Sequence, residues 1–135
     1  MPIKGTYYNA TLGAAPTNNT LTLGSLITST IISLSSSAVP NSLNSLALTP
    51  GSWIIIGNLT YNTYTGPYAL VSISSTNNSV DTNSEVVMLF SQSGNPVMNI
   101  TRALTITSNQ TWYLITQSGA SVSVIYVNFY AMRIG

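Results

Sequence analysis

Five side chains among 135 residues carry a charge: Lys4, Asp81, Glu85, Arg102 and Arg133, and the chain has neither His nor Cys. Most catalysis runs on side chains that exchange a proton or attack as activated nucleophiles. Here the stock is two carboxylates, two guanidiniums, one ammonium and many hydroxyls without an evident base. Asp81 and Glu85 form the one carboxylate pair available for glycoside hydrolysis. That chemistry needs carboxyls about 5 to 9.5 Å apart with one pKa raised, and nothing nearby suggests a substrate cleft. Asp81, Asn83 and Glu85 place three oxygen ligands at alternate positions, as a Ca²⁺ loop begins. The Gly and Glu that such a loop needs further on are replaced by Val86 and Gln92. The segment reads as a solvated loop running into a strand. No catalytic, cofactor-binding or metal-binding residue is assigned, and the chain reads as non-enzymatic.

Two further groups invite a functional reading. Arg102 and Arg133 lie in apolar strand contexts, where an unpaired guanidinium is costly. Structural pairing is expected, with Glu85, backbone carbonyls or a neighbouring subunit. Tyr61, Asn62, Tyr64 and Tyr68 form a polar–aromatic cluster around one turn, the type of surface on which sugars stack and hydrogen-bond. Six Asn-x-Ser/Thr acceptor patterns, at Asn9, Asn18, Asn58, Asn77, Asn99 and Asn109, arise readily in a chain this rich in those residues.

Charge also limits the partners. A net charge of +1 and three scattered basic residues cannot displace counterions from nucleic acid or hold an anionic membrane surface. The most apolar stretch, Leu21 to Leu34, is interrupted by Ser, Thr and Gly, so it is no spanning helix. The opening Met-Pro-Ile-Lys-Gly has no apolar signal core. A near-neutral surface does not repel a second copy, so self-association is expected.

The elements that position these residues are strands. Asn, Ser and Thr make up more than a third of the chain and are interleaved with β-branched and aromatic runs, a composition that disfavours helix. Trp53, Ile55, Leu59 and Tyr61 fall on one face by period two, while Ile54 and Ile56 fall on the other. Ala69, Val71 and Ile73 alternate likewise, and Val86 to Phe90 is a continuous apolar run expected to be buried on both faces. Ile100, Leu104 and Ile106 alternate with Thr, Arg102 standing in the apolar set. Turns at Pro50-Gly51, Gly66-Pro67, Ser93 to Pro96, Ser108-Asn109 and Ser118-Gly119 separate about eight strands, the spacing of an antiparallel sandwich or barrel. Residues 1–19 read as an irregular arm and 20–135 as one domain.

Three segments carry a family resemblance. They are Leu46 to Tyr61 with its Pro50-Gly51-Ser52-Trp53 entry, Thr111 to Gln117 (TWYLITQ), and the ending Phe129 to Gly135 (FYAMRIG). Together they resemble the small β-jelly-roll virion proteins of tailed phages and large DNA viruses, whose fold is similar to the trimeric tumour-necrosis-factor/C1q type. The resemblance implies an all-β jelly roll on the virion exterior: a capsid decoration or minor capsid protein, or a fibre or spike head. It implies a homotrimer as the assembly and other virion proteins as partners. Tyr126, Phe129 and Tyr130 on the last strand exceed the needs of one core face and are the expected trimer contacts. The alternative is a receptor- or carbohydrate-binding head, with host-surface glycan held by Tyr61, Asn62, Tyr64 and Tyr68.

Overall fold

The computed structural model describes residues 27–29, 32–34, 39–62, 66–89, 94–120 and 122–135. The arm expected over residues 1–19, and Tyr64, lie outside them. The described elements are β1 (Ile27–Ser29), β2 (Ile32–Leu34), β3 (Asn41–Leu48), β4 (Gly51–Asn62), β5 (Tyr68–Ser74), β6 (Glu85–Leu89), β7 (Val97–Ile106), β8 (Gln110–Ser118) and β9 (Val122–Arg133). They form two antiparallel sheets. The first runs β1-β9-β4-β7, with β2 also on β9; the second runs β3-β8-β5-β6. From β2 onward, every connection except β5 to β6 passes from one sheet to the other. That wrapping is a jelly roll.

Period-two patterning decides which residues meet between the sheets. Trp53, Ile55, Leu59 and Tyr61 of β4 point inward, as do Ala69, Val71 and Ile73 of β5. Met98 and Ile100 of β7, Leu114 of β8, and Val124, Val127, Phe129 and Ala131 of β9 complete the centre. Fully burying one such aliphatic or aromatic side chain stabilises by about 1.5–3 kcal/mol. Gly57 stands at the tightest point. A Cβ there would lie 2.5 Å from Leu114 Cδ1 and 3.2 Å from Ile100 Cγ2, so the missing side chain lets the sheets close.

One polar pair belongs to this interior. Thr116 Oγ1 donates to the Leu70 carbonyl at 3.0 Å, so the buried Tyr61 hydroxyl donates to Thr116. Tyr61 therefore ends in a satisfied hydrogen bond deep in the core.

One expectation is corrected. Val86 to Leu89 is not covered on both faces. β6 pairs only with β5 among the described strands, Val86 and Met88 pack on the core, and Leu89 is 79% exposed. In a two-layer sandwich a strand turns one face to the core, and a local apolar run does not reveal which of its residues face outward. β3 begins at Asn41, ahead of the Leu46-Ala47-Leu48 run, with a bulge between Ser42 and Asn44.

The outer face of the second sheet is covered in part by the chain itself. Ser42, Ile115 and Ser72 share a cross-strand row, and residues 75–84 fold back toward it. Asn78 N–H donates to Ser42 Oγ at 2.9 Å, and Asp81 N–H donates to Ser72 Oγ at 3.0 Å. Ile115 and Ser72 are fully buried as a result.

Candidate functional site

The charged residues are the candidates for chemistry. Arg102 leaves β7 on its inward side and reaches across the gap between the sheets. One guanidinium nitrogen meets Asp81 Oδ2 at 2.5 Å and donates to the Ile73 carbonyl at 2.7 Å. The guanidinium also stacks 4.9 Å from the centroid of the Trp112 ring. The Ile73 N–H donates on the same side to the Ser84 carbonyl, so Arg102 takes the backbone acceptor where the β5–β6 ladder ends. The structure thus pairs Arg102 with Asp81 and a backbone carbonyl rather than with Glu85. Arg102 holds the Asp81 carboxyl below its ordinary value of 3.8, the Asn83 N–H adds to the effect, and burial opposes it. Asp81 is thereby committed to closing the sandwich. Glu85, exposed at the start of β6, stands across from Ser72.

Arg133 has a similar task at the other end. It donates to the Pro50 carbonyl at 3.1 Å and the Gly135 carbonyl at 3.2 Å, and lies 6.0 Å from the Trp53 ring centroid. It joins the β3–β4 turn to the chain end. Gly51, at φ +148°, leaves room there, since a Cβ would sit 2.7 Å from the Gly135 carbonyl oxygen.

The aromatic candidates separate. Tyr61 has no exposed ring face, because it is a core residue tied to Thr116. Asn62 is exposed at the end of β4 and Tyr68 is half-buried at the start of β5, accepting from Gln117 at 3.4 Å. Tyr64 lies outside the described residues, and Tyr61, Asn62 and Tyr68 do not present one surface for a glycan. Of the expected trimer contacts, Phe129 is fully buried between the sheets, whereas Tyr126 is 44% exposed and Tyr130 half-buried. Phe129 is an odd number of residues from both tyrosines, so the pleat sends it to the opposite face.

What remains as a surface with character is the outer face of β9-β4-β7. Its register sets side chains in cross-strand rows. Met132, Ile54 and Ala103 form one row, and Tyr130, Ile56 and Thr101 the next. Then come Asn128, Asn58 and Asn99, three amides side by side, followed by Tyr126, Thr60 and Val97. An extra residue in β9, at Ile125, keeps this last row in phase while returning Val124 to the core. Every charged side chain among the described residues lies elsewhere: Asp81, Glu85 and Arg102 at the β5–β6–β7 seam, Arg133 at the end of the sandwich. Sequence reasoning finds Tyr126 and Tyr130 on this face and misses Ile54, Ile56 and the amide row as a surface. The signal is present in the alternation of β4, which puts Ile54, Ile56, Asn58 and Thr60 together.

No family model matches the sequence, and neither does any curated protein. Among solved structures, the chain is similar to the Eiger TNF of S. frugiperda, with a TM-score of 0.55 and 6% identity over 85% of this chain and 93% of that one. It also aligns with the CBM22-1-GH10 modules of Clostridium thermocellum xylanase 10B, solved with xylohexaose. That alignment has a TM-score of 0.41 and 11% identity over 78% of this chain and 26% of that one, too weak to support an argument. The first likeness is one of fold, and it agrees with the strand order: the chain is an all-β, TNF-like jelly roll.

Proposed function

We propose that the chain is a non-enzymatic structural subunit of a virion exterior, a capsid decoration or minor capsid protein or a fibre or spike head, that assembles as a homotrimer. The observation that carries the trimer is the outer face of β9-β4-β7. It is uncharged, it presents Ile54, Ile56, Tyr130 and Met132 as adjoining apolar rows, and it belongs to a TNF-like sandwich. Aromatic and aliphatic side chains depleted of charge are the composition of an interface centre. The chain's low charge supports the same reading, since little else would keep copies apart. The virion assignment is supported by the resemblance of Leu46 to Tyr61, Thr111 to Gln117 and Phe129 to Gly135 to jelly-roll virion proteins. The non-enzymatic reading is supported by the engagement of Asp81, Arg102 and Arg133 in structural contacts. The carbohydrate-binding alternative loses a central member of its platform with Tyr61 in the core.

Light scattering coupled to size exclusion tests the assembly. A mass three times the 14.3 kDa chain supports the proposal, and a monomer at micromolar concentration contradicts it. Antibodies raised against the recombinant protein should then label intact particles that carry it. Failure to label them would count against an exterior location.

A further inference from the structure

The row Asn128–Asn58–Asn99 interrupts a face whose neighbouring rows carry Ile54, Ile56, Val97, Tyr126, Tyr130 and Met132. Asn58 is the cross-strand partner of both Asn99 and Asn128, so the three amides stand abreast, with Thr28 of β1 next in register. At a strand spacing of about 4.8 Å they span about 10 Å. Asn128 donates to the Tyr126 hydroxyl. Among the described residues, the Asn58 and Asn99 side chains make no hydrogen bond within the protomer. Asn58 and Asn99 are also two of the six Asn-x-Thr/Ser patterns, so their Thr partners, Thr60 and Thr101, flank the row on the same face.

We infer that this amide row fixes the register and copy number of self-association through the outer face of β9-β4-β7. The inference rests on the trimer reading above. An amide offers both donors and acceptors, so equivalent amides from neighbouring copies satisfy one another where they converge about a three-fold axis, whereas a patch of one charge would repel its own copies. The aliphatic and aromatic side chains in the rows on either side, Ile56 with Tyr130 and Val97 with Tyr126, supply affinity that is indifferent to small shifts. Sliding one copy by a residue pair would place amides against Ile56 or Val97 and leave them buried without partners, a cost absent from the correct register. A single buried polar position is known to set register and oligomer state in helical assemblies, at some expense of stability. The amide row supplies the equivalent in a sheet. The absence of charge on this face, in a chain of net charge +1, makes a second copy the fitting occupant.

Native mass spectrometry on the full-length chain, wild type and two variants, tests this. Wild type should give one trimeric species. Asn58→Leu should associate at least as tightly but spread over two or more species, because the register penalty is gone. Asn58→Asp should dissociate at concentrations at least tenfold higher than wild type, as like charges meet in the interface. A trimeric wild type with an Asn58→Leu variant that stays a single trimer overturns the amide inference alone. A monomeric wild type overturns the underlying trimer reading, so the two failures are distinct.

Discussion

Arg102→Met keeps the length of the stem and removes the guanidinium, so its effect can be worked out from three contacts. The Ile73 carbonyl loses a donor 2.7 Å away in a partly buried position, which costs about 1–2 kcal/mol. The stack on Trp112, at 4.9 Å, contributes about 0.5–1 kcal/mol. The ion pair with Asp81 counts for less than its distance suggests. Its side chains are 24% and 23% exposed, and water screening leaves about 0–1 kcal/mol. The Met stem still packs on the indole, which returns part of the lost contact. The expected loss is about 2–3 kcal/mol, the backbone acceptor being the largest share. Urea unfolding read by the fluorescence of Trp53 and Trp112, the two tryptophans, measures it directly. With a slope of about 1–3 kcal/mol per molar, the midpoint should fall by about 0.7–3 M at unchanged slope. Protein concentration must be held fixed, since self-association couples to stability. Arg102→Lys should recover only part of the loss, because an ammonium cannot stack as a planar fork does. A midpoint for Arg102→Met within about 0.3 M of wild type would mean that these contacts do not hold the sheets together.

The same cluster sets an acid limit. The Asp81 pKa is depressed in the folded state, so its contribution is complete above 3.8 and is lost as pH falls below that value through the folded pKa. Asp81→Asn should flatten the stability–pH curve in that acid window and leave its shape near neutrality unchanged. Tyr61→Phe removes one buried hydrogen bond and should cost about 0.5–1.5 kcal/mol, while Thr116→Val strands both the Tyr61 hydroxyl and the Leu70 carbonyl and should cost about 2–4 kcal/mol. Thermal unfolding distinguishes the two, and equal losses would contradict the donor order. Gly57→Ala should destabilise by about 1–3 kcal/mol through overpacking against Leu114, again read from the thermal midpoint. A stabilised variant would mean that the sheets part more readily than their contacts suggest.

Strands with a clean two-residue period are legible in the amino-acid sequence itself. Trp53, Ile55, Leu59 and Tyr61 share the inner face of β4, and Tyr68–Ser74 is a strand with the bounds its alternation suggests. The inward course of Arg102 follows from the same alternation along β7. Other features depend on long-range pairing. Asn41 to Asn44 carries no clean alternation and becomes strand because β8 supplies its partners. Val86 to Leu89 reads as buried on both faces and turns Val87 and Leu89 outward, because the cover over a strand's far face is invisible in a local run. Tyr61 looks like a ligand platform until its face is known to be the inner one. The Arg102–Asp81 pair spans 21 residues across two sheets and has no local signature. The amide row arises from the register of β4 against β7 and β9. Asn58, Asn99 and Asn128 are far apart in the chain and become neighbours only when those strands are aligned.

The proposed function depends above all on self-association through the outer face of β9-β4-β7, and Ile56→Glu probes that face at its middle. Ile56 is half-buried there, so the carboxylate remains in water in a lone protomer and would be desolvated in the assembly. Sedimentation equilibrium should show a trimer for wild type and a folded monomer for Ile56→Glu. Val87→Glu, a control on the exposed edge strand β6, should remain trimeric. An Ile56→Glu protein that stays trimeric would show that the copies do not meet through this face.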